Sequence, residues 1–237
     1  TVAFSGQAIN YPRPFLFSLT PMASHPNAEI HQRLSRVLCL YDNAGESFLP
    51  GADNASSPVT RHLALSRCLF FLFDPTQDIR FRRAARGKTD DLQKADRAQI
   101  LQRDHAVRQD TILQEAADRV RRFAGIGHNQ KHQMPLIIVA TKVDSWRSLL
   151  KSDLKDAVTT PAPGKSGLLR TDKVERLSSE TRDLFWELCP EIVSTAENFA
   201  ADVTYIPVSA TGCSPATNPE TGVSGFRPRD IKPEWVE

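Results

Sequence analysis

The strongest constraint on the fold comes from two near-continuous apolar runs, RCLFFLF at 67–73 and PLIIVAT at 135–141. A strand with one wet face alternates apolar and polar residues, whereas unbroken runs suit parallel-sheet strands buried on both faces. A third run, VTYIPV at 203–208, reads as another strand, with Pro207 pushing its end towards an edge or a terminus. Upstream, PFLFSLT at 14–20 and SRVLCLY at 35–41 flank a polar stretch holding Pro21, Pro26 and Asn27. That pattern suggests an antiparallel pair joined by a long hairpin loop.

Between these strands lie helical stretches. In 90–124, Leu101, Ile112, Leu113, Ala116, Val120 and Phe123 supply an approximate 3.6-residue stripe. A second helical region covers 171–200, broken at Pro190, and the Pro/Gly/Thr-rich segment 156–168 reads as a loop. Strands alternating with helices give an α/β domain, expected as a three-layer, mainly parallel sheet with one antiparallel strand. The 237 residues suffice for one large domain or at most two small ones. A net charge of +2 argues neither for nor against nucleic acid. The longest apolar runs are about half the length needed to span a bilayer, so no membrane segment is expected. Cys39, Cys68, Cys189 and Cys213 form no CxxC pair. Cys39 and Cys68 lie in apolar runs, where reduced, buried thiols are expected, as suits a cytoplasmic protein.

Ligands of such sheets sit beyond the carboxyl ends of the strands. The strand at 35–41 runs into Asp42-Asn43-Ala44-Gly45-Glu46. All but Ala and Glu are turn formers, so a plain turn accounts for the stretch when taken alone. The functional alternative gives Asp42 to the hydration shell of Mg²⁺ and the bare Gly45 N–H to a terminal phosphate. The strand at 135–141 runs into Lys142-Val143-Asp144. Asp144 either caps a helix starting near Ser145 and Trp146, or accepts two hydrogen bonds from the N1–H and exocyclic amine of guanine. After the strand at 203–208 come Ser209-Ala210-Thr211-Gly212, a weak signal alone, where the Ala210 N–H would meet the base carbonyl.

In that order, each at a strand end, DxxG, TKxD and SA resemble the motifs of P-loop GTPases of the translation-factor and Ras-like (TRAFAC) class. The resemblance covers roughly residues 12–212 but is specific at only about eleven positions. Thr141 replaces the commoner Asn, a departure also found in Rho-like members. YDNAGE and the closing GFRPRDIKPEWVE are similar, more narrowly, to bacterial double-GTPase domains. The resemblance implies a Ras-like topology with GTP/GDP and Mg²⁺ as ligands. Asp42 (through water to Mg²⁺), Gly45 and Glu46 would serve the phosphate side. Thr141, Lys142, Asp144, Ser209 and Ala210 would hold the base.

The phosphate-cradling GxxxxGK[ST] loop is absent. Gly164-Lys165-Ser166 imitates its last residues, but Thr159 takes the first glycine's place and no apolar strand leads in, so it reads as a decoy. The expectation is therefore one incomplete domain over 1–237, starting after the family's first strand and inactive as cut. Because that strand lies mid-sheet in the family, the strands at 35–41 and 67–73 should flank an unfilled position. Cys39, Leu40, Phe70 and Leu72 would then be left uncovered. Glu46 stands where many relatives carry the Gln or His that positions water, so hydrolysis should be slow. Neither Thr1 nor Thr20 is well placed as the switch threonine. Spacing is stretched by insertions at about 76–133 and 147–200, natural contact points for a protein effector or regulator. Arg80, Arg82, Arg83, Arg86 and Lys88 read as a solvated basic face, so nucleic acid is not expected. His128 and His132 are spaced i,i+4 but lack a third ligand. The leading expectation is a switch domain that binds and slowly hydrolyses GTP. A non-catalytic pseudo-GTPase scaffold is the alternative, and a response-regulator or flavodoxin-like domain a third, weaker reading.

Overall fold

The computed structural model describes residues 2–4, 7–9, 14–23, 25, 35–41, 61–88, 108–154, 158–162, 165–217 and 221–235. The described chain opens with two antiparallel pairs, β1 (Val2–Phe4) with β2 (Gln7–Ile9) and β3 (Pro14–Leu19) with β4 (Arg36–Tyr41). Then come β5 (Leu69–Phe73), α1 (Ile79–Ala84), α2 (Gln109–Ala124) and β6 (Leu136–Ala140). A hairpin of β7 (Thr159–Ala162) and β8 (Lys165–Leu169) precedes α3 (Thr171–Leu188), α4 (Pro190–Phe199) and β9 (Val203–Pro207). The short pair β10 (Ala216–Thr217) and β11 (Ser224–Gly225) follows.

The protein is α/β, built on a parallel sheet of order β5-β6-β9, as the apolar runs led one to expect. Its register aligns Phe73, Ala140 and Pro207, so the carboxyl ends of all three strands share one edge. Residues alternate between faces. The face carrying Phe73, Leu136, Ile138, Ala140 and Tyr205 is buried. One core cluster joins it to Phe81 of α1, Leu113, Ala117 and Val120 of α2, Leu177 and Phe185 of α3, and Ile192 and Ala196 of α4. Phe185 is the hub: its ring lies 5.0 Å from Phe73, 5.2 Å from Phe81 and 6.0 Å from Tyr205.

Local chemistry explains the helix ends. Gly125, at φ 67°, closes α2 in the left-handed conformation that only glycine adopts without strain. Leu113, Ala117 and Val120 recur at helical spacing on its buried side. Pro190 ends the long helical region where expected. Cys189 leaves helical geometry, and Pro190 starts α4 at N1, where a missing N–H costs nothing.

Several expectations need correction. Burial on both faces fails for β5, whose Phe70 and Leu72 are 61% and 67% exposed; these two and Cys39 are uncovered, as the second expectation had it. An apolar run shows that both faces are apolar, not that both are covered. The antiparallel strand does not join the parallel sheet; β3 and β4 form a sheet of their own, with Phe15, Leu16, Phe17, Leu19, Val37 and Leu38 exposed. No strand pairing joins β4 to β5. Cys39 is exposed and Cys68 half-buried, rather than buried, although both are free thiols. The segment 156–168 is not a loop but contains the β7–β8 hairpin, with Thr159 paired to Leu169 and Ala162 to Lys165. β-Branched Thr159 and Thr160 favour extension, and the register shifts around Pro161, which has no N–H to give the ladder. Of the helix read over 90–124, the described part is α2, and Leu101 lies outside the described residues. The stretches read as insertions also supply much of the described core, through α1 to α4.

Candidate functional site

Residues following β5, β6 and β9 meet at the shared carboxyl edge. Thr141 continues β6 and donates both its backbone N–H (2.9 Å) and its hydroxyl (3.0 Å) to the Phe73 carbonyl, tying two strand ends together. Its own carbonyl accepts the Trp146 indole N–H at 2.9 Å, and the buried Trp146 ring packs on Phe81. The turn after Thr141 requires Lys142 at φ 55°, ψ 40°. A left-handed backbone at a non-glycine residue carries strain that only a well-determined surrounding sustains. Ser145 supplies part of it, donating its N–H and hydroxyl to the Lys142 carbonyl at 2.9 and 2.8 Å. The Lys142 ammonium is held 2.9 Å from the Asp74 carboxylate at the end of β5, with the Thr76 hydroxyl at 3.5 Å.

Asp144 does not cap a helix. Its carboxylate accepts the Ser209 hydroxyl at 2.5 Å on one oxygen and the Ser214 hydroxyl at 3.3 Å on the other. Ser209 is buried, and its oxygen also accepts the N–H groups of Gly212 (2.8 Å) and Thr211 (3.3 Å). The serine thereby fixes both the carboxylate and the loop after β9. Beside it Ala210 is exposed, and no acceptor among the described residues takes its N–H. Each carboxylate oxygen retains lone-pair capacity after these bonds. The edge thus offers a fixed anion, a fixed ammonium and an open N–H.

A strap from the chain's last described residues pins this loop. Lys232 donates to the Thr211 carbonyl, and Ser209 and Glu234 exchange two backbone hydrogen bonds. Arg147 bridges the Glu234 carboxylate (2.9 Å) and the Gly212 carbonyl (3.1 Å). The Trp235 indole donates to the Leu154 carbonyl at 3.0 Å.

Thus Thr141, Lys142, Asp144, Ser209 and Ala210 come together at one edge. Asp42, Gly45 and Glu46 lie outside the described residues. Among the described residues no cluster of three His, Cys, Asp or Glu forms a metal site, and Asp42 alone carries the Mg²⁺ expectation. His132 is buried, its ring stacked on Phe199. Lys165 and Ser166 lie within β8 rather than at a helix start, which removes the resemblance of their segment to a phosphate loop. Arg80 of the basic cluster is bound to Asp78 and Glu191, and Glu191 also accepts from Arg108. No described helix is long and apolar enough to cross a membrane.

Sequence reading overlooked Asp74 and Thr76. The signal was present: FLFDPT ends an apolar run in Asp-Pro-Thr, a fourth strand end of the kind already weighed. Burial disfavours charge on Asp74, but hydrogen bonds from Thr76, Lys142 and Gln77 outweigh it and hold the carboxyl below the usual carboxylate range. The chain matches no family model, no curated protein and no solved structure.

Proposed function

We propose that this chain is a guanine-nucleotide-binding switch domain of the P-loop GTPase class, with a Ras-like sheet. The observation that carries the reading is the Ser209–Asp144 contact, made across 65 residues of sequence between two motifs chosen for base recognition. A carboxylate held by hydroxyls that donate to it stays an acceptor, and two acceptor oxygens match the paired N–H groups on one edge of guanine. Adenine offers no such pair there. The open Ala210 N–H lies in the same loop and would meet a base carbonyl, and the Lys142 stem would lie along the ring. The parallel order β5-β6-β9 is compatible with that topology.

Asp42, Gly45 and Glu46 would act on the phosphates. Mg²⁺, when bound, would neutralise phosphate charge, and Asp42 would hold it through water. Hydrolysis would be slow, because the Glu46 carboxylate adds negative charge beside a triphosphate. The segments 76–133 and 147–200 would carry contacts to a protein effector or regulator. The test is titration of the full-length protein with guanine and adenine nucleotides. A strong preference for guanine supports the reading, because a site whose acceptors are left unpaired disfavours the wrong base. Equal affinities for GTP and ATP would overturn it.

A further inference from the structure

Asp74 is immobilised more thoroughly than a helix cap requires. One carboxylate oxygen accepts the Thr76 N–H (3.0 Å) and the Thr76 hydroxyl (2.6 Å), which completes the cap of the short helix Pro75–Gln77. The other oxygen is turned to Gln77 Nε2 (3.0 Å) and to Lys142 Nζ (2.9 Å), 68 residues away in sequence. The backbone is clamped as well: Asp74 N–H donates to the Gln109 side-chain oxygen at 2.7 Å, and Gln109 Nε2 donates back to the Asp74 carbonyl at 3.0 Å. Gln109 opens α2, so the placement of this carboxylate is set by the core. Lys142, by contrast, remains partly exposed, on a long flexible stem.

Resting on the guanine-nucleotide reading, we propose that Asp74 is a positioning residue for Lys142. It anchors the ammonium so that the methylene stem is a preformed platform for a purine ring. Asp74 does not itself touch the base. Its contribution is to purine affinity rather than to the choice between guanine and adenine, which rests on Asp144.

The test measures Kd for a fluorescent GDP analogue, displaced by GDP and by ADP, on the full-length protein. Asp74→Asn keeps the capping oxygen but replaces the anion facing Lys142. It is expected to weaken GDP about tenfold, the scale of a hydrogen bond to a charged group, with the GDP-to-ADP ratio unchanged. Lys142→Met should weaken GDP comparably, and the double variant should lose no more than Lys142→Met alone. Additive losses, or a lowered Tm with unchanged Kd, would mean a merely structural role and overturn the assignment. Wild-type protein that binds no guanine nucleotide would overturn the parent reading together with this one. Wild-type binding with unaltered Asp74→Asn affinity would overturn this one alone.

Discussion

Gly212 and Gly125 form a natural controlled pair. Both are left-handed, at φ +64° and +67°, but a Cβ on Gly125 would meet nothing within 4 Å, whereas one on Gly212 would sit 1.7 Å from the Lys232 carbonyl oxygen. Gly125→Ala should cost only the conformational penalty of an L-residue in that region, about 1–2 kcal/mol. Gly212→Ala carries the same penalty and must also push the strap off the loop. The strap makes three backbone hydrogen bonds, one indole bond and the Arg147–Glu234 ion pair. At about 1 kcal/mol net each they sum to about 5 kcal/mol. Trp235 packs against the core and adds about 2 kcal/mol through its buried apolar area. Freeing residues 232–235 returns backbone entropy worth about 4–8 kcal/mol, about 1–2 per residue. The balance is at most about 3 kcal/mol, so Gly212→Ala should lose up to about 5 kcal/mol in total. Urea denaturation of both variants gives the comparison, with hydrogen exchange at the Ser209 and Glu234 amides reporting the strap. Equal losses in the two variants, with those amides still protected, would refute the idea that the strap is locked by the missing side chain at 212.

Other outcomes follow from the same structure. Phe185→Ala removes the ring at the centre of the aromatic core and should cost about 3–5 kcal/mol, read as a shift in urea midpoint; a loss below about 1 kcal/mol would show that the site collapses to fill the cavity. The Arg80 hydrogen bond holds the Glu191 carboxyl below its ordinary range. A depressed folded-state value gives stability that is present above the ordinary carboxylate range and lost as pH falls through the folded value. Urea midpoints followed from neutral pH into acid should therefore fall less steeply in Glu191→Gln than in wild type, and parallel curves would refute that linkage. Burial pushes the Cys189 thiol well above its usual range, while Cys39 is exposed. Native-state alkylation should therefore modify Cys39 early and Cys189 only on unfolding; early labelling of Cys189 would contradict its burial.

The parallel sheet was legible because RCLFFLF and PLIIVAT are too apolar, and too short, for much else. For β5 the sequence carried two readings, burial on both faces and exposure of Phe70 and Leu72, and the exposed one holds. The β7–β8 hairpin was hidden by Pro161 and the Pro163-Gly164 pair, residues that punctuate loops and turns alike. That Thr141, Lys142, Asp144, Ser209 and Ala210 would meet was readable because each follows a strand end, where the register of a parallel sheet brings distant motifs to one edge. What could not be read was the tertiary wiring: that Ser214 would reach Asp144, that Asp74 would claim Lys142, and that Arg147 would clasp Glu234. Such contacts depend on which loops fold back, and no periodicity records that.

The central claim is that Asp144 reads a guanine edge, and a single base swap tests it most directly. Asp144→Asn presents one acceptor and one donor in place of two acceptors, matching the N1–H and C2 carbonyl of xanthine. Nucleotide titrations of the full-length wild type and Asp144→Asn should show preference moving from guanine to xanthine. If guanine affinity survives the substitution unchanged and xanthine gains nothing, Asp144 does not contact the base and the nucleotide reading falls.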